Sequence, residues 1–190
     1  MKKQEEVEGE QMGSVVPAIL TNSPAELRNM VEKARVFTKW VQVDIMDGRF
    51  VPSSSITCAQ IKEVAIPFDW EAHLMVECPL KHLDCLKEAG ASKVIFHLEA
   101  QDNPQEVIIQ AERLELKVGL AVNPQTRIED FIKLADKVDS ILFLSVIPGF
   151  YGSKFIPEVL DKIKEFRRLK PQTETGIDGG VKANNIVQVA

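Results

Sequence analysis

The chain has 190 residues, and 45% of them are hydrophobic, which is enough for one globular core. Lysine and arginine total 23 against 28 acidic residues, which gives a net charge of -5. Because proteins that bind nucleic acids usually carry a basic surface, this balance predicts no nucleic-acid partner. No stretch has the length and apolar character of a membrane helix, so no membrane partner is expected either.

The amino-terminal segment and the cysteines narrow the class further. Residues 1–12 are predicted to be a disordered tail, because they carry acidic residues where a signal peptide needs an apolar core. The three cysteines, Cys58, Cys78 and Cys85, are too few and wrongly spaced for a disulfide framework or a closed zinc site. The sequence therefore favours a reducing, cytoplasmic location.

One pattern repeats from Ser14 onward. A short apolar run rich in β-branched residues is followed by a few turn residues and then by an amphipathic helical stretch. This alternation is typical of a parallel sheet whose successive strands are connected by helices. Seven strands are predicted, at residues 15–20, 40–46, 70–76, 92–98, 118–122, 140–146 and 174–178.

Two helix starts carry the same local signal. Residues 23–26 (Ser-Pro-Ala-Glu) and 103–106 (Asn-Pro-Gln-Glu) each offer a capping side chain, a proline at the first helical position and a glutamate at the third. No GxGxxG motif follows the first strand, so a TIM (β/α)8 barrel is favoured over a doubly wound sheet. Residues 13–190 reach only a seventh strand and part of a helix, so the barrel is expected to lack strand eight and helix eight.

Four polar side chains lie towards the carboxyl ends of predicted strands, where parallel barrels place reactive groups. Gln42 and Asp44 are two residues apart on the second strand and therefore point to the same face. His73 ends the third strand, and Asp178 ends the seventh. Two carboxylates, an imidazole and an amide oxygen form a donor set that suits a divalent cation. Taken singly, each aspartate also fits a loop cap, and His73 also fits a core histidine.

Glycine-containing loops follow the last two predicted strands. One is the segment Ser145–Gly152 after the sixth strand, and the other is Asp178–Gly180 after the seventh. Glycine lets backbone N–H groups approach an anion, and late loops of such barrels commonly hold phosphate. Turns use glycine everywhere, so neither loop is specific alone.

Five segments in this order resemble ribulose-phosphate 3-epimerases: VPAIL, VDIMDGRFVP, HLMV, the segment Ser145–Gly152 and IDGGV. The resemblance extends from Val15 to Ala190, and VDIMDGRFVP at residues 43–52 is its most specific part. It implies a barrel of the ribulose-phosphate-binding type and a cytoplasmic enzyme of the pentose phosphate pathway. Such an enzyme interconverts D-ribulose 5-phosphate and D-xylulose 5-phosphate around a divalent metal, which is zinc, iron, manganese or magnesium.

The resemblance also implies roles for individual residues. Asp44 and Asp178 match the aspartates that act as acid and base and ligate the metal, and His73 matches a further ligand. His97, at the end of the fourth strand, matches a histidine that is interpreted here as lying behind the ligands. The implied substrate-binding residues are His73, Met46, Met75, Gly149, Phe150, Tyr151, Gly152, Gly179 and Gly180. The two methionines are equally compatible with core packing.

The sequence departs from the family pattern at several positions. Gln42 stands where the family has a metal-binding histidine, and its neutral amide oxygen is a weaker ligand for zinc, so it is the doubtful fourth member of the metal set. Ala18 replaces a serine that touches substrate, which removes about 1 kcal/mol of binding. Ile147 and Tyr151 replace a polar residue and a glycine, which is expected to narrow the pocket. The Gly-Ser pair that follows strand eight in the family has no counterpart.

Three alternatives remain open at this point. The chain is an epimerase of another ketose phosphate, or a barrel that binds sugar phosphates with little or no catalysis. Decarboxylases and aldolase-like synthases of related layout are disfavoured, because no lysine accompanies Asp44 and Asp47 in an Asp-x-Lys-x-x-Asp array. First and seventh strands without partners would be exposed edges, so a truncated gene and a homo-oligomer both stay open.

Overall fold

The computed structural model describes residues 13–149 and 152–189, and the predicted tail at residues 1–12 lies outside them. Seven parallel strands form one sheet in the consecutive order β1 to β7. This order confirms the barrel type, with seven of its eight strands. The strands are β1 (Ala18–Ile19), β2 (Trp40–Met46), β3 (Asp69–Met75), β4 (Lys93–His97), β5 (Lys117–Val122), β6 (Ser140–Leu144) and β7 (Glu174–Asp178).

The predicted strands are confirmed to within two residues, except that β1 is only two residues long. Helices follow the strands as expected, and two 3₁₀ turns lie at Pro79–Lys81 and Ala135–Lys137. Within the described residues, no helix has the length and apolar character needed to cross a bilayer. The α-helices are α1 (Pro24–Ala34), α2 (Cys58–Val64), α3 (Leu83–Glu88), α4 (Pro104–Arg113), α5 (Ile128–Phe131), α6 (Glu158–Leu169) and α7 (Ile186–Val189).

Both predicted helix caps are present. The Ser23 hydroxyl accepts a hydrogen bond from the backbone N–H of Glu26, and the Asn103 side chain accepts one from the N–H of Gln105. Each cap satisfies a backbone donor that the first turn of a helix leaves unpaired. These short signals therefore set where α1 and α4 begin, and hence how they pack on the sheet.

The two faces of the sheet have different chemistry. On the helix-covered face, β-strand side chains such as Val43, Trp70 and Phe143 join the helices in the main hydrophobic core. The concave face carries the alternate residues, among them Asp44, His73 and Asp178. The concave face also carries an apolar cluster that includes Ile95 and Leu142, so its polar side chains are a local departure from a sheet that is otherwise apolar on both faces.

The concave face also contains a buried ion pair near the amino ends of its strands. Glu71 on β3 and Lys93 on β4 are register partners, and Lys93 Nζ lies 3.4 Å from Glu71 Oε2. The side chains are only 8% and 10% exposed, respectively. A buried charge is tolerated when its partner is close, so each residue depends on the other.

The structure corrects one expectation about the cysteines. Cys58 on α2 and Cys85 on α3 form a disulfide, with their Cα atoms 6.1 Å apart, while Cys78 is free. The two bonded residues are 27 positions apart, and that spacing gave no sign that α2 and α3 lie side by side. The expectation that the cysteines are unsuited to a disulfide framework therefore missed this single bond.

The ion pair yields a stability prediction. Lys93→Met leaves Glu71 buried without its partner, so the free energy of unfolding should fall by about 3–5 kcal/mol in urea titrations. The matched control is Lys62→Met, which breaks the exposed pair with Glu88 and should cost less than about 1 kcal/mol. Equal losses in the two variants would contradict a special role for the buried pair.

Candidate active site

The structure brings together the four polar side chains that the sequence singled out. Gln42 and Asp44 come from β2, His73 from the adjacent β3, and Asp178 from β7 at the other side of the sheet. Since β2 and β7 are not neighbours in the sheet, their side chains meet only because the sheet curls around the concave face. The curl is therefore what assembles the site.

The polar atoms of these side chains form a tight cluster. His73 Nδ1 lies 3.2 Å from Asp44 Oδ1 and 3.3 Å from Asp178 Oδ2. Gln42 Nε2 donates hydrogen bonds to Asp44 Oδ1 at 3.0 Å and to Asp178 Oδ2 at 3.1 Å, and it lies 3.5 Å from His73 Nδ1. The amide of Gln42 thus presents its nitrogen, and not the expected oxygen, to the two carboxylates.

Gln42, Asp44 and His73 are buried and Asp178 is half-buried, and the charges of the cluster control its protonation. Burial opposes a charge on His73, but hydrogen bonds to Asp178 and Asp44 outweigh it and raise the His73 pKa to about 10. Burial likewise opposes ionisation of Asp178, but hydrogen bonds from His73, Gln42 and the Gly179 backbone outweigh it and lower the Asp178 pKa. Two carboxylates facing one imidazole therefore leave a site with a strong preference for positive charge.

A chain of hydrogen bonds runs from His73 away from the aspartates. His73 Nε2 lies 2.9 Å from His97 Nε2, and His97 Nδ1 lies 3.3 Å from Glu99 Oε2. Burial and the charge on His73 outweigh the hydrogen bond to Glu99 and lower the His97 pKa to about 4, so His97 is neutral. Because a carboxylate only accepts, His97 donates from Nδ1 to Glu99 and accepts at Nε2 from His73. This arrangement directs Nδ1 of His73 towards the aspartates.

Glu99 is itself held by the loop that follows β5. Its carboxylate accepts hydrogen bonds from the backbone N–H of Asn123, at 2.9 Å, and from the Thr126 hydroxyl. Lys162 on α6 clamps the same loop, because its Nζ donates to the carbonyl oxygens of Asn123, Pro124 and Thr126. The orientation of His73 thus depends on contacts that extend to a surface helix.

Met46 and Met75 are register partners two residues beyond Asp44 and His73, and therefore on the same face of the sheet. They are buried and pack with Val51, with Phe50 against them. A cavity of about 310 Å³ opens beside this apolar wall, and it is lined by Leu20, Thr21, Asn22, Glu26, Met46, Ser53, Ser54 and Gly149. This volume is at the lower end for ligand pockets and suits a small molecule. Ile147 is 58% exposed and does not line this cavity, and Tyr151 lies outside the described residues, so the narrowing of the pocket stays a prediction.

The glycine loops lie where the sequence placed them. Gly149 (φ +100°) packs so closely on Val51 that an added Cβ would lie 2.7 Å from that side chain, and the Ser53 hydroxyl donates to its carbonyl oxygen. Gly179 (φ +102°) lies equally close to Val146, so both positions require glycine. Gly152 and Gly180 also have positive φ. Phe150 and Tyr151 lie outside the described residues.

Ser145 connects these loops to the site. It is fully buried at the end of β6, and its hydroxyl donates to the backbone carbonyl oxygens of Asp178 at 2.9 Å and Gly179 at 2.6 Å. Sequence analysis treated Ser145 only as the start of the glycine segment, and it missed Glu99, Ser55 and Lys162 altogether. Ser55 donates to the carbonyl oxygen of Asp44 at 2.7 Å, and no sequence pattern indicated this contact.

The donor set fits a divalent metal. Asp44, His73 and Asp178 offer ligand atoms that all lie within 4.8 Å of one another. A tetrahedral ion with bonds of about 2.0–2.1 Å separates its ligand atoms by about 3.3–3.4 Å. The separations of 3.2 and 3.3 Å between His73 Nδ1 and the two aspartates are close to that spacing, and they are also hydrogen-bond distances. The three residues could therefore hold a metal ion together.

Comparison with known proteins agrees with this geometry. The profile described as "Ribulose-phosphate 3 epimerase family" matches residues 14–190. The chain belongs to the ribulose-phosphate 3-epimerase family. Two relatives with that name are a Mycobacterium leprae protein, 35% identical over 93% of this chain and 81% of its own length, and the cytoplasmic isoform of Oryza sativa, 32% identical over 90% and 78%. The family consists of metal-dependent carbohydrate epimerases.

Solved structures with little sequence similarity support the fold alone. A mutant tryptophan synthase alpha-subunit from Pyrococcus furiosus superposes with a TM-score of 0.64 at 15% identity, covering 93% of this chain and 82% of that one. The chain therefore has the fold of a TIM barrel.

The His73 cluster predicts how stability depends on pH when metal is removed by a chelator. The folded-state pKa of His73, about 10, lies above the unfolded value of about 6.5. The stabilisation is therefore fully present below about pH 6.5 and is lost as the pH rises through about 10. In urea titrations the free energy of unfolding should fall as the pH rises across this range. In His73→Asn this pH-dependent fall should be absent. A wild-type profile without the fall would contradict the ion cluster.

Proposed function

We propose that this chain interconverts D-ribulose 5-phosphate and D-xylulose 5-phosphate by acid/base catalysis with two aspartates. The observation that carries the proposal is the approach of Asp44 and Asp178 to the same point on the concave face, from strands on opposite sides of the curled sheet. Family membership supports epimerase chemistry, and the two carboxylates supply the groups that such chemistry needs.

The reaction inverts the carbon next to the ketone. One carboxylate removes a proton from one face of that carbon, and the other, in its protonated form, returns a proton to the opposite face. Gln42 binds Asp44 Oδ1 and Asp178 Oδ2, so each carboxylate has a second oxygen that this amide does not engage. Those second oxygens are the proposed sites of proton transfer.

Asp44, His73 and Asp178 would hold the divalent metal, with Gln42 as the doubtful fourth residue. When bound, the metal would stabilise the negative charge that develops on the enediolate oxygens. The identity of the ion, among zinc, iron, manganese and magnesium, is left to experiment. His97 and Glu99 hold His73 in the orientation that presents Nδ1 to this position.

The sugar phosphate is proposed to bind beside this cluster, in the cavity lined by Met46 and Gly149. Met46 and Met75 would contact the apolar edges of the substrate, where they exclude water from the reacting carbon. The backbone of Gly149, Phe150, Tyr151, Gly152, Gly179 and Gly180 would hold the phosphate. The cytoplasm is the proposed location, in agreement with the name of the rice relative.

One observation favours a second candidate, a barrel that binds sugar phosphates without turning them over. Gln42 donates to both aspartates, and carboxylates occupied by hydrogen bonds are weaker bases. Substrate binding and turnover must therefore be measured separately.

Asp178→Asn removes one proton-transfer group while keeping the shape of the side chain, so we expect kcat to fall by about 10²- to 10⁴-fold. The assay follows xylulose 5-phosphate from ribulose 5-phosphate by coupled spectrophotometry, with zinc, iron, manganese or magnesium supplied in turn. Asp44→Asn should behave in the same way.

The control is Asp161→Asn on the exposed surface of α6, which should leave the rate unchanged. Calorimetric titration with ribulose 5-phosphate separates the two candidates. Binding without turnover in the wild-type chain, with every metal, would establish the binding barrel and exclude the epimerase.

A further inference from the structure

The side-chain amide of Gln42 lies close to all three candidate metal ligands. Its terminal amide atom lies 3.0, 3.1 and 3.5 Å from Asp44 Oδ1, Asp178 Oδ2 and His73 Nδ1. These distances resemble the edges of about 3.3–3.4 Å expected between the ligands of a tetrahedral metal. The amide therefore lies within 3.5 Å of all three candidate ligand atoms, where it could supply a fourth ligand.

At this position the Gln42 side chain directs its amide nitrogen towards the two carboxylates. An amide NH₂ has two donor hydrogens and cannot coordinate a cation, whereas the carbonyl end of the same side chain can. One hydrogen of the Gln42 amide is donated to Asp44 and the other to Asp178, so a single amide links both carboxylates. The two carboxylates receive donors where the family places a cation.

The two ends of a carboxamide are nearly identical in size, and a half-turn about its last bond exchanges them. Gln42 is only 4% exposed, so its head group stays within the cluster in both orientations. Its register partner on β1 is Ala18, which presents only a methyl group. Because the exchange is a rotation about a side-chain bond, it changes no backbone torsion angle.

We propose that Gln42 is a pivot that sets the metal affinity of the site. Without metal, its Nε2 bonds to Asp44 and Asp178 and holds them together; with metal, the amide turns and Oε1 becomes the fourth ligand. Metal binding must break two hydrogen bonds to charged acceptors, so the affinity is lower than that of a site with histidine at position 42. This inference rests on the metal site of the proposed function, but not on turnover.

The first test measures metal binding to chelator-stripped protein by calorimetry with Zn²⁺ and Mn²⁺. Gln42→His supplies a zinc ligand without the carboxylate-linking NH₂ group, so its Kd for Zn²⁺ should be about tenfold or more below that of the wild type. The matched control is Gln105→His, which introduces the same side chain at an exposed position of α4 and should leave the Kd unchanged.

The second test follows the stability of the metal-free state. Gln42→Met keeps the size of the side chain but donates no hydrogen bonds, so its metal-free melting temperature should be lower than that of the wild type. Gln105→Met is the control, and its metal-free melting temperature should equal that of the wild type.

The third test observes the amide itself. In ¹⁵N-labelled protein the side-chain NH₂ pair of Gln42 is identified by its absence in Gln42→Glu. The pair should exchange slowly with solvent in the metal-free state and change its shifts when zinc saturates the site. An NH₂ signal that zinc leaves unchanged, a wild-type chain that binds no metal, or equal zinc affinity in Gln42→His would each overturn the proposal. None of the three tests requires substrate. They can therefore support the role of Gln42 in metal binding even if the chain proves to have no epimerase activity.

Discussion

The site depends on one electrostatic constraint: two carboxylates are placed close together in a buried setting. Asp44 and Asp178 approach the same point, and like charges at that distance are tolerated only when positive charge or hydrogen-bond donors lie between them. His73 and the Gln42 amide supply those donors in the structure, and a divalent cation is the natural alternative. The protonated His73, the hydrogen bonds from Gln42 and a bound cation would each offset the repulsion between Asp44 and Asp178.

Much of the fold can be predicted from the sequence, because short apolar runs typical of strands alternate regularly with amphipathic stretches typical of helices. The helix caps at Ser23 and Asn103 and the strand β2 are local signals, and the structure confirms them. The shortness of β1 and the bond between Cys58 and Cys85 depend on contacts between distant segments. A local pattern contains no information about such contacts.

In the candidate site, too, some features could be predicted from local sequence patterns and others could not. Asp44, His73 and Asp178 were predicted to converge because parallel strands align their carboxyl ends, and they do. The orientation of Gln42 was not predicted, because the choice between nitrogen and oxygen depends on which groups surround the amide. Glu99 was missed for a related reason, since its role arises only when β4 and the loop after β5 lie together.

The clamp formed by Lys162 has a consequence for how variants of this protein should be interpreted. Its ammonium group is caged by three carbonyl oxygens, and that cage fixes the loop that positions Glu99, then His97 and finally His73. The orientation of His73 therefore depends on a residue of α6 that does not itself contact the cluster. A substitution of Lys162 is therefore expected to disturb His73, whereas a substitution of the exposed Asp161 on the same helix is not.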